Sequence, residues 1–145
     1  KKEKENKIQN FNEKLTDYEN YTEVIIPHGS TDIAYSPNVI VGNSITYKRG
    51  AFEGALLSKY VGKQYLDNTS SDARSIPAYL TRDIRIQYRF KKRFAYSLLL
   101  NNITNEQYVS NGYTYSYQYA GATTTENFYY PQAGFNFLMG LSVRL

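Results

Sequence analysis

The sequence lacks cysteine and tryptophan, and it has one methionine and one histidine among its 145 residues. The absence of cysteine excludes disulfides, zinc–thiolate centres and cysteine nucleophiles from this chain. His28 alone cannot build a multi-histidine metal site, so we expect no bound metal and no cofactor. The patterns of a nucleophile elbow and of a phosphate-binding loop are also missing, and we expect no enzymatic activity.

A long hydrophobic run is missing as well. No stretch of about 18 apolar residues occurs, which excludes a transmembrane helix. Residues 1–7 are mostly charged and have no apolar run after them, so we expect a solvated charge run rather than a secretory signal peptide. The net charge of +4 is too mild to indicate nucleic acid as a partner.

What the sequence does have is aromatic residues, 16 Tyr and 7 Phe, and segments in which apolar and polar residues alternate. Alternation with a period of two predicts β-strands, and each segment is about 10 residues or longer. The alternating segments are 38–49, 52–66, 80–90, 94–102 and 134–145. Residues 1–20 carry a weaker pattern, which leaves open a short helix or a sixth strand over about residues 7–12.

The connections between these segments alternate in length. Residues 48–51 and 91–93 are tight basic turns. The long connections are polar and rich in Tyr, Asn, Ser and Thr, and they comprise residues 12–32, 67–78 and 104–131. Short turns at one end and long loops at the other are typical of outer-membrane β-barrels.

Three features favour a membrane barrel over a soluble antiparallel sheet. The strands are long for a soluble sheet. Their polar faces carry charges along much of their length, as a water-filled lumen requires. Their apolar faces end in aromatic residues, as interfacial girdles do: Tyr47, Phe52, Tyr60, Tyr88, Phe90, Phe94 and Tyr96. A soluble β-sandwich that binds carbohydrate is the alternative interpretation.

The number of strands limits what the chain can form by itself. Single-chain bacterial barrels begin at about eight strands, and open edges are not tolerated in lipid. About six strands therefore predict an antiparallel transmembrane segment of a larger barrel.

Several segments resemble the C-terminal barrel of TonB-dependent outer-membrane receptors. The resemblance begins with SKYVGKQYLDNT at 58–69 and continues with LLNNITNEQY at 99–108. The last strand, GLSVRL at 140–145, is similar to the strand that closes the barrel in this family. Shorter matches lie at 31–37, 111–115 and 129–134, so the resemblance extends from about residue 30 to the end.

This resemblance implies a barrel of about 22 strands around an N-terminal plug, with residues 1–145 as its C-terminal portion. The plug domain and the earlier strands would lie outside this sequence. It also implies a location in the outer membrane of a Gram-negative cell and energised uptake of a bulky nutrient, such as an iron–siderophore complex, cobalamin or an oligosaccharide. The expected partners are outer-membrane lipid, the rest of the barrel with its plug, the TonB complex acting through that plug, the outer-membrane assembly machinery and the transported ligand.

Two groups of residues are candidates for these roles. Tyrosines of the loop after residue 102 can stack on a ligand and hydrogen-bond it, or else pack the loop itself. The candidate ligand-binding residues are Tyr113, Tyr115, Tyr117, Tyr119 and Tyr129. The expected barrel-closing strand presents Phe135, Phe137, Met139, Leu141, Val143 and Leu145 to lipid, with a leucine where the family typically ends in an aromatic residue.

Charged residues give weaker signals. Basic side chains of the strands and loops could attract an anionic ligand or pair with carboxylates, and we favour pairing. They are Lys59, Lys63, Arg74, Arg85 and Arg89. His28, between Pro27 and Gly29, is expected in a surface turn. Asp67, Asp72, Glu106 and Glu126 lack the spacing of a calcium loop.

Overall fold

The computed structural model describes residues 7–91 and 93–144. This part of the chain is all-β, with a single 3-10 turn at Asp72–Arg74. The strands are β1 Lys7–Asp17, β2 Thr22–Asp32, β3 Ile40–Arg49, β4 Phe52–Val61, β5 Gln64–Tyr65, β6 Ser75–Ile76, β7 Tyr79–Phe90, β8 Phe94–Asn101, β9 Val109–Tyr119, β10 Ala122–Pro131 and β11 Asn136–Val143. Among the residues described, no helix is long and apolar enough to cross a membrane.

The strands divide between two compact units. The first unit comprises the described part of Lys1–Asn38 together with Gly62–Pro77 and Val109–Pro131. Its main sheet has the strand order β10-β9-β1-β2. The second unit comprises Val39–Val61, Ala78–Tyr108 and the described part of Gln132–Leu145, and its five-stranded sheet has the order β11-β8-β7-β4-β3.

The second unit contains the five strands that alternation predicts, and all of its strand pairs are antiparallel. The expectation of an all-β fold is therefore confirmed, and the sheets are antiparallel except where β1 meets β9 in parallel at Asp17 and Gln118. The sheet is open, because β3 and β11 have no neighbour on their outer sides among the residues described. Closure into a barrel is not seen within this segment.

The register of the second unit separates apolar from polar side chains. One row that crosses the whole sheet on one face consists of Ile45, Leu56, Ile84, Leu100 and Phe137. A row on the opposite face consists of Lys48, Glu53, Gln87, Ser97 and Gly140. Since successive side chains of a strand point to opposite faces, the alternation in sequence becomes one apolar and one polar surface.

The apolar surface of the second unit is open. Phe137, Met139 and Leu141 are 60%, 57% and 68% exposed. A sheet that packed this face on a protein core would bury these side chains, since cores exclude water from apolar groups. The expected lipid-facing residues of β11 therefore lie on the exposed apolar face, and Leu145 is outside the described residues.

Tight turns join the long strands at one end of this sheet. Arg49 pairs with Phe52, so Gly50 and Ala51 form a two-residue turn in which Gly50 has a φ of 57°. A positive φ at the first turn residue favours glycine there. Phe90 pairs with Phe94, which confirms the second tight turn, although Lys92 within it lies outside the described residues.

The first unit differs most from the sequence expectation. Residues 12–32 and 104–131 were expected to be long loops, yet they contain most of β1, all of β2 and the hairpin of β9 and β10. The open alternative for residues 1–20 resolves as a strand, Lys7–Asp17. These segments are rich in tyrosine and threonine, which favour strands. Ala120 and Gly121 have φ values of 49° and 73°, and such a two-residue turn is typical of a β-hairpin.

Segment 62–77 packs on one face of the first unit's sheet. Leu15 of β1 is 3% exposed, and Leu66 and Ile76 of the packed segment are 3% and 0% exposed. Gly112 of β9 permits the close approach, because a Cβ at this position would lie 3.2 Å from a methyl carbon of Leu66 and 2.5 Å from the carbonyl oxygen of Phe128. We call this face the closed face and the other the open face.

Candidate functional site

The β9–β10 hairpin places most of the predicted tyrosines on one surface. Tyr113, Tyr115, Tyr117 and Tyr119 occupy alternate positions of β9 and therefore share a face. Their partners on β10 are Phe128, Glu126, Thr124 and Ala122. This is the open face of the first unit, so the period-two spacing of the tyrosines produces an exposed aromatic surface.

Ring contacts preorganise this surface. Tyr113 stacks on Phe128 with centroids 4.7 Å apart and an interplanar angle of 14°, and Tyr130 lies 6.3 Å from Tyr113. Tyr115 and Tyr117 are 5.8 Å apart. Aromatic pairs at such distances stabilise one another beyond their buried area, which holds the rings in place. Tyr113 and Tyr115 remain exposed, whereas Tyr117 is half-buried.

Tyr18 also belongs to the surface, and sequence reasoning missed it. Its ring meets Tyr117 edge-on at 5.6 Å, and its hydroxyl lies 2.5 Å from the hydroxyl of Tyr115. The backbone N–H of Tyr18 donates to the carbonyl of Gln118, which fixes the end of β1 beside β9. No local pattern could reveal this contact, because Tyr18 and Tyr115 are 97 positions apart in sequence.

The hydroxyl pair gives a pH prediction. The hydrogen bond with Tyr18 raises the pKa of Tyr115 above its ordinary value. A raised pKa means that the folded protein favours the protonated phenol of Tyr115. The hydrogen bond therefore stabilises the fold fully at pH values below the pKa that Tyr115 has in the unfolded chain, and this stabilisation is lost as the pH rises through its pKa in the folded protein. We expect Tyr18→Phe to lower the pKa of Tyr115, measured by tyrosinate absorbance, with Tyr119→Phe as the control. An unchanged Tyr115 titration in Tyr18→Phe would contradict the pairing.

Tyr129 lies apart from the other four candidates. It pairs with Gly112, which places it on the closed face, and its hydroxyl donates to the carbonyl of Ser75 at 3.2 Å. Asn127 on the same face donates to the carbonyl of Ala73 at 2.7 Å. Both contacts attach segment 62–77 to β10, so Tyr129 positions that segment.

A buried ionic cluster supports the closed face. Arg74 Nη1 lies 2.5 Å from Glu13 Oε1 and 2.9 Å from Asp67 Oδ2, and its Nη2 donates to Thr125. Burial lowers the pKa of Arg74, but the hydrogen bonds to Glu13 and Asp67 outweigh burial and raise it. Glu13 also contacts His28 Nε2 at 2.7 Å. The cluster therefore joins β1, β2, β10 and segment 62–77.

The other charged candidates are distributed as follows. Lys63 pairs with Asp72 at 2.6 Å, so the expectation of pairing holds for Lys63 and Arg74. Lys59, Arg85 and Arg89 form no ion pair with any described residue. His28 lies within β2 and is partly buried against Glu13, so the prediction that it sits in a surface turn is wrong.

The first two of the three asparagines in the 99–108 motif have structural roles in the second unit. Asn101 donates to the side chain of Asn136 at 2.8 Å. Asn102 is 4% exposed. Its side-chain amide donates a hydrogen bond to the backbone carbonyl of Glu106, and its Oδ1 accepts one from the backbone N–H of the same residue. Its φ of 49° is one that asparagine tolerates better than most residues. The motif therefore ends β8 and fixes the segment after it.

Among the described residues of the first unit, the open face of the β9–β10 hairpin is an aromatic surface. Exposed phenol rings offer flat apolar area for stacking and hydroxyls for hydrogen bonds. Their mutual contacts reduce the entropy lost when a ligand orders them. Such a surface suits a sugar ring, a catechol or another planar polar group.

Comparison with known proteins gives the fold. No protein-family model matches the sequence, and no curated protein sequence matches it. Among solved structures, the crystal structure of the ferric-catecholate import receptor Fiu from K12 E. coli, in its closed form, matches with a TM-score of 0.61 and 14% sequence identity. The match covers 84% of this chain and 17% of the receptor chain, so this sequence spans a small part of that protein's length. The similarity shows that this chain shares its fold with part of that protein chain.

Proposed function

We propose that this chain forms part of the wall of a TonB-dependent receptor in the bacterial outer membrane. The observation that best supports this proposal is the sheet of the second unit, which has an open apolar face and a charged opposite face. From Leu80 to Phe90, β7 extends about 33 Å at the usual rise per residue. At a tilt of about 40° this length spans about 25 Å, the height of the apolar band in outer-membrane barrels.

The open edges of the sheet imply that more of the barrel is needed. Unpaired backbone groups at β3 and β11 would be costly in hydrocarbon. We infer that earlier strands of the same receptor pair with them and that an N-terminal plug fills the lumen. The TonB complex would act through that plug, and the assembly machinery of the outer membrane would insert the barrel. Residues 1–145 are then the C-terminal barrel portion.

The activity we propose is uptake of a bulky nutrient rather than catalysis. The aromatic surface around Tyr115 supports capture of an iron–siderophore complex, cobalamin or an oligosaccharide, because each offers groups that stack on phenol rings. The fold shared with a ferric-catecholate import receptor supports the iron-chelate class among these. Tyr113, Tyr115, Tyr117 and Tyr119 are the proposed ligand contacts, and Tyr18 joins them.

A soluble carbohydrate-binding β-sandwich fits the second unit less well. Two stacked sheets would bury the apolar face between them. The side chains of Phe137, Met139 and Leu141 are instead more than half exposed.

Adjacent cysteine substitutions test the membrane assignment. Met139 and Leu138 are neighbours on β11, both apolar and 57% and 67% exposed, but they point to opposite faces. We expect Leu138→Cys to react with a charged maleimide when the full-length protein is in lipid vesicles, and Met139→Cys to be protected. In denaturant both should react equally. Equal reaction rates in vesicles, or a protein that stays dispersed without detergent or lipid, would contradict the proposal.

A further inference from the structure

A cavity of about 230 Å³ lies on the polar face of the second unit, at the end of the sheet away from the tight turns. We propose that this cavity binds one neutral sugar ring of the ligand. The site rests on the proposed function, which turns the polar face toward a water-filled lumen. It adds a contact in the second unit to a ligand surface that the proposed function confines to tyrosines of the first unit.

Four strand residues of the polar face line the cavity. Thr81 and Asp83 are alternate residues of β7, Asn101 ends β8, and Asn136 begins β11 opposite Asn101. Each lies an even number of residues along its strand from the polar row that contains Gln87. Since alternate residues of a strand share a face, all four side chains are on the side opposite the apolar surface.

Two segments that follow strands complete the cavity, and hydrogen bonds hold them together. They contribute Tyr108 and Gln132, and the backbone N–H of Gln132 donates to the carbonyl of Tyr108 at 3.0 Å. The ring of Tyr108 stacks on Tyr79 with centroids 4.4 Å apart, which fixes its position. The side-chain amide of Asn102 donates to the carbonyl of Ala133 at 3.3 Å. The lining is therefore preorganised, so a ligand loses little affinity in ordering it.

The lining offers hydrogen-bonding groups that the fold does not use. Within residues 7–91 and 93–144, the hydroxyl of Thr81 and the side-chain amide of Gln132 form no hydrogen bond. Asp83 accepts the backbone N–H of Asn102 at 2.8 Å through Oδ1 alone, so its Oδ2 has no partner there. Asn101 donates through its amide to its cross-strand neighbour and keeps its Oδ1 as an acceptor. The free groups include both donors and acceptors, which suits sugar hydroxyls because a hydroxyl donates and accepts.

Charge and size favour a neutral sugar ring over the other proposed ligands. Asp83 is the one charged side chain among the described residues that line the cavity, so an anionic iron chelate would meet a carboxylate and no cation. Pockets for whole small-molecule ligands have about 300–1,000 Å³, so a cavity of about 230 Å³ suits one ring of a longer molecule. The ring of Tyr108 supplies a flat apolar surface for the apolar side of that sugar.

The test measures oligosaccharide binding to the full-length protein in detergent micelles. The probes are an array of neutral glucans, mannans and galactans, and the anionic complex of ferric iron with three catechols. We expect Thr81→Val and Gln132→Leu each to weaken oligosaccharide binding about fivefold, the effect of one hydrogen bond, and the double variant to weaken it about 25-fold. Thr46→Val and Gln87→Leu are the matched controls, because both residues lie on the polar face outside the cavity, and they should leave binding unchanged. The ferric complex should bind the native protein and the double variant equally.

The other outcomes separate the two proposals. Unchanged oligosaccharide affinity in the double variant overturns the sugar site, and so does a native protein that binds none of the neutral probes. A loss of affinity for the ferric complex in the double variant also overturns it, since the cavity would then hold an anionic chelate. A native protein that stays dispersed without detergent or lipid would instead overturn the proposed function.

Discussion

On the proposed membrane assignment, Met139→Lys should destabilise the protein in a bilayer by about 2–4 kcal/mol, the cost of a lysine near the midplane on the lipid face of an outer-membrane barrel. Met139 pairs with Leu98 in the middle rows of the apolar face, with Ile86 on the next strand. Leu98→Lys should therefore have a similar effect. The measurement is the free energy of unfolding of the full-length protein in vesicles, from urea titration.

Leu138→Lys is the control for this prediction. Leu138 is the neighbouring residue on β11 and has 67% exposure, but it shares the polar face with Arg85. A lysine on the proposed water-lined side keeps its hydration, so we expect little change in the free energy of unfolding. Equal losses for Leu138→Lys and Met139→Lys would contradict the assignment of one face to lipid and the other to water.

The second unit could be predicted from the sequence because one face of its sheet is apolar and the other is polar. Each strand could be predicted from its own sequence, since apolar and polar residues alternate along it. Segments 80–90 and 94–102 correspond to β7 and β8 within one residue at either end. Segment 52–66 was overextended, since β4 ends at Val61 and a short strand, β5, follows it at Gln64.

The first unit could not be predicted in the same way. In the β9–β10 hairpin one face is rich in tyrosine and the other carries mostly small and polar residues, so neither face has the apolar signature of a strand. The candidate tyrosines were chosen because the expected loop after residue 102 is rich in tyrosine, and four of them prove to share one face because they recur at every second position of β9. The location of Tyr129 on the closed face could not be predicted, because it depends on the pairing of Tyr129 with Gly112, which only the strand register of the structure reveals.

The ionic cluster on the closed face shows the same dependence on tertiary structure. Arg74 and Glu13 are 61 positions apart, and neither lies in a motif. The sequence indicated only that basic residues would find carboxylate partners. Which carboxylates they find depends on how segment 62–77 packs on β1, and no local pattern encodes that packing.

Replacing Arg74 with methionine should destabilise the first unit by about 3 kcal/mol, because removal of one partner leaves buried charges without compensation. The side chains of Arg74, Glu13 and Asp67 are 10%, 11% and 24% exposed, so the two carboxylates would face each other with little water to screen them. Arg74 stays charged at any ordinary pH because its already high pKa is raised further, so the loss should appear across the neutral range. Hydrogen exchange of the full-length protein would measure it as lost protection of β1 and β10.

Lys63→Met is the control for Arg74→Met, because it also removes a cation from segment 62–77 but does not disturb the buried ionic cluster. Lys63 and its partner Asp72 are 45% and 81% exposed, so water replaces the ion pair at little cost. We expect protection of β1 and β10 to be unchanged in Lys63→Met and reduced in Arg74→Met, with β7 and β8 unaffected in both. Retained protection in Arg74→Met would mean that the apolar contacts of Leu15, Leu66 and Ile76 hold the closed face without the ionic cluster. In that case the cluster would not be what attaches segment 62–77 to the sheet that presents the tyrosines.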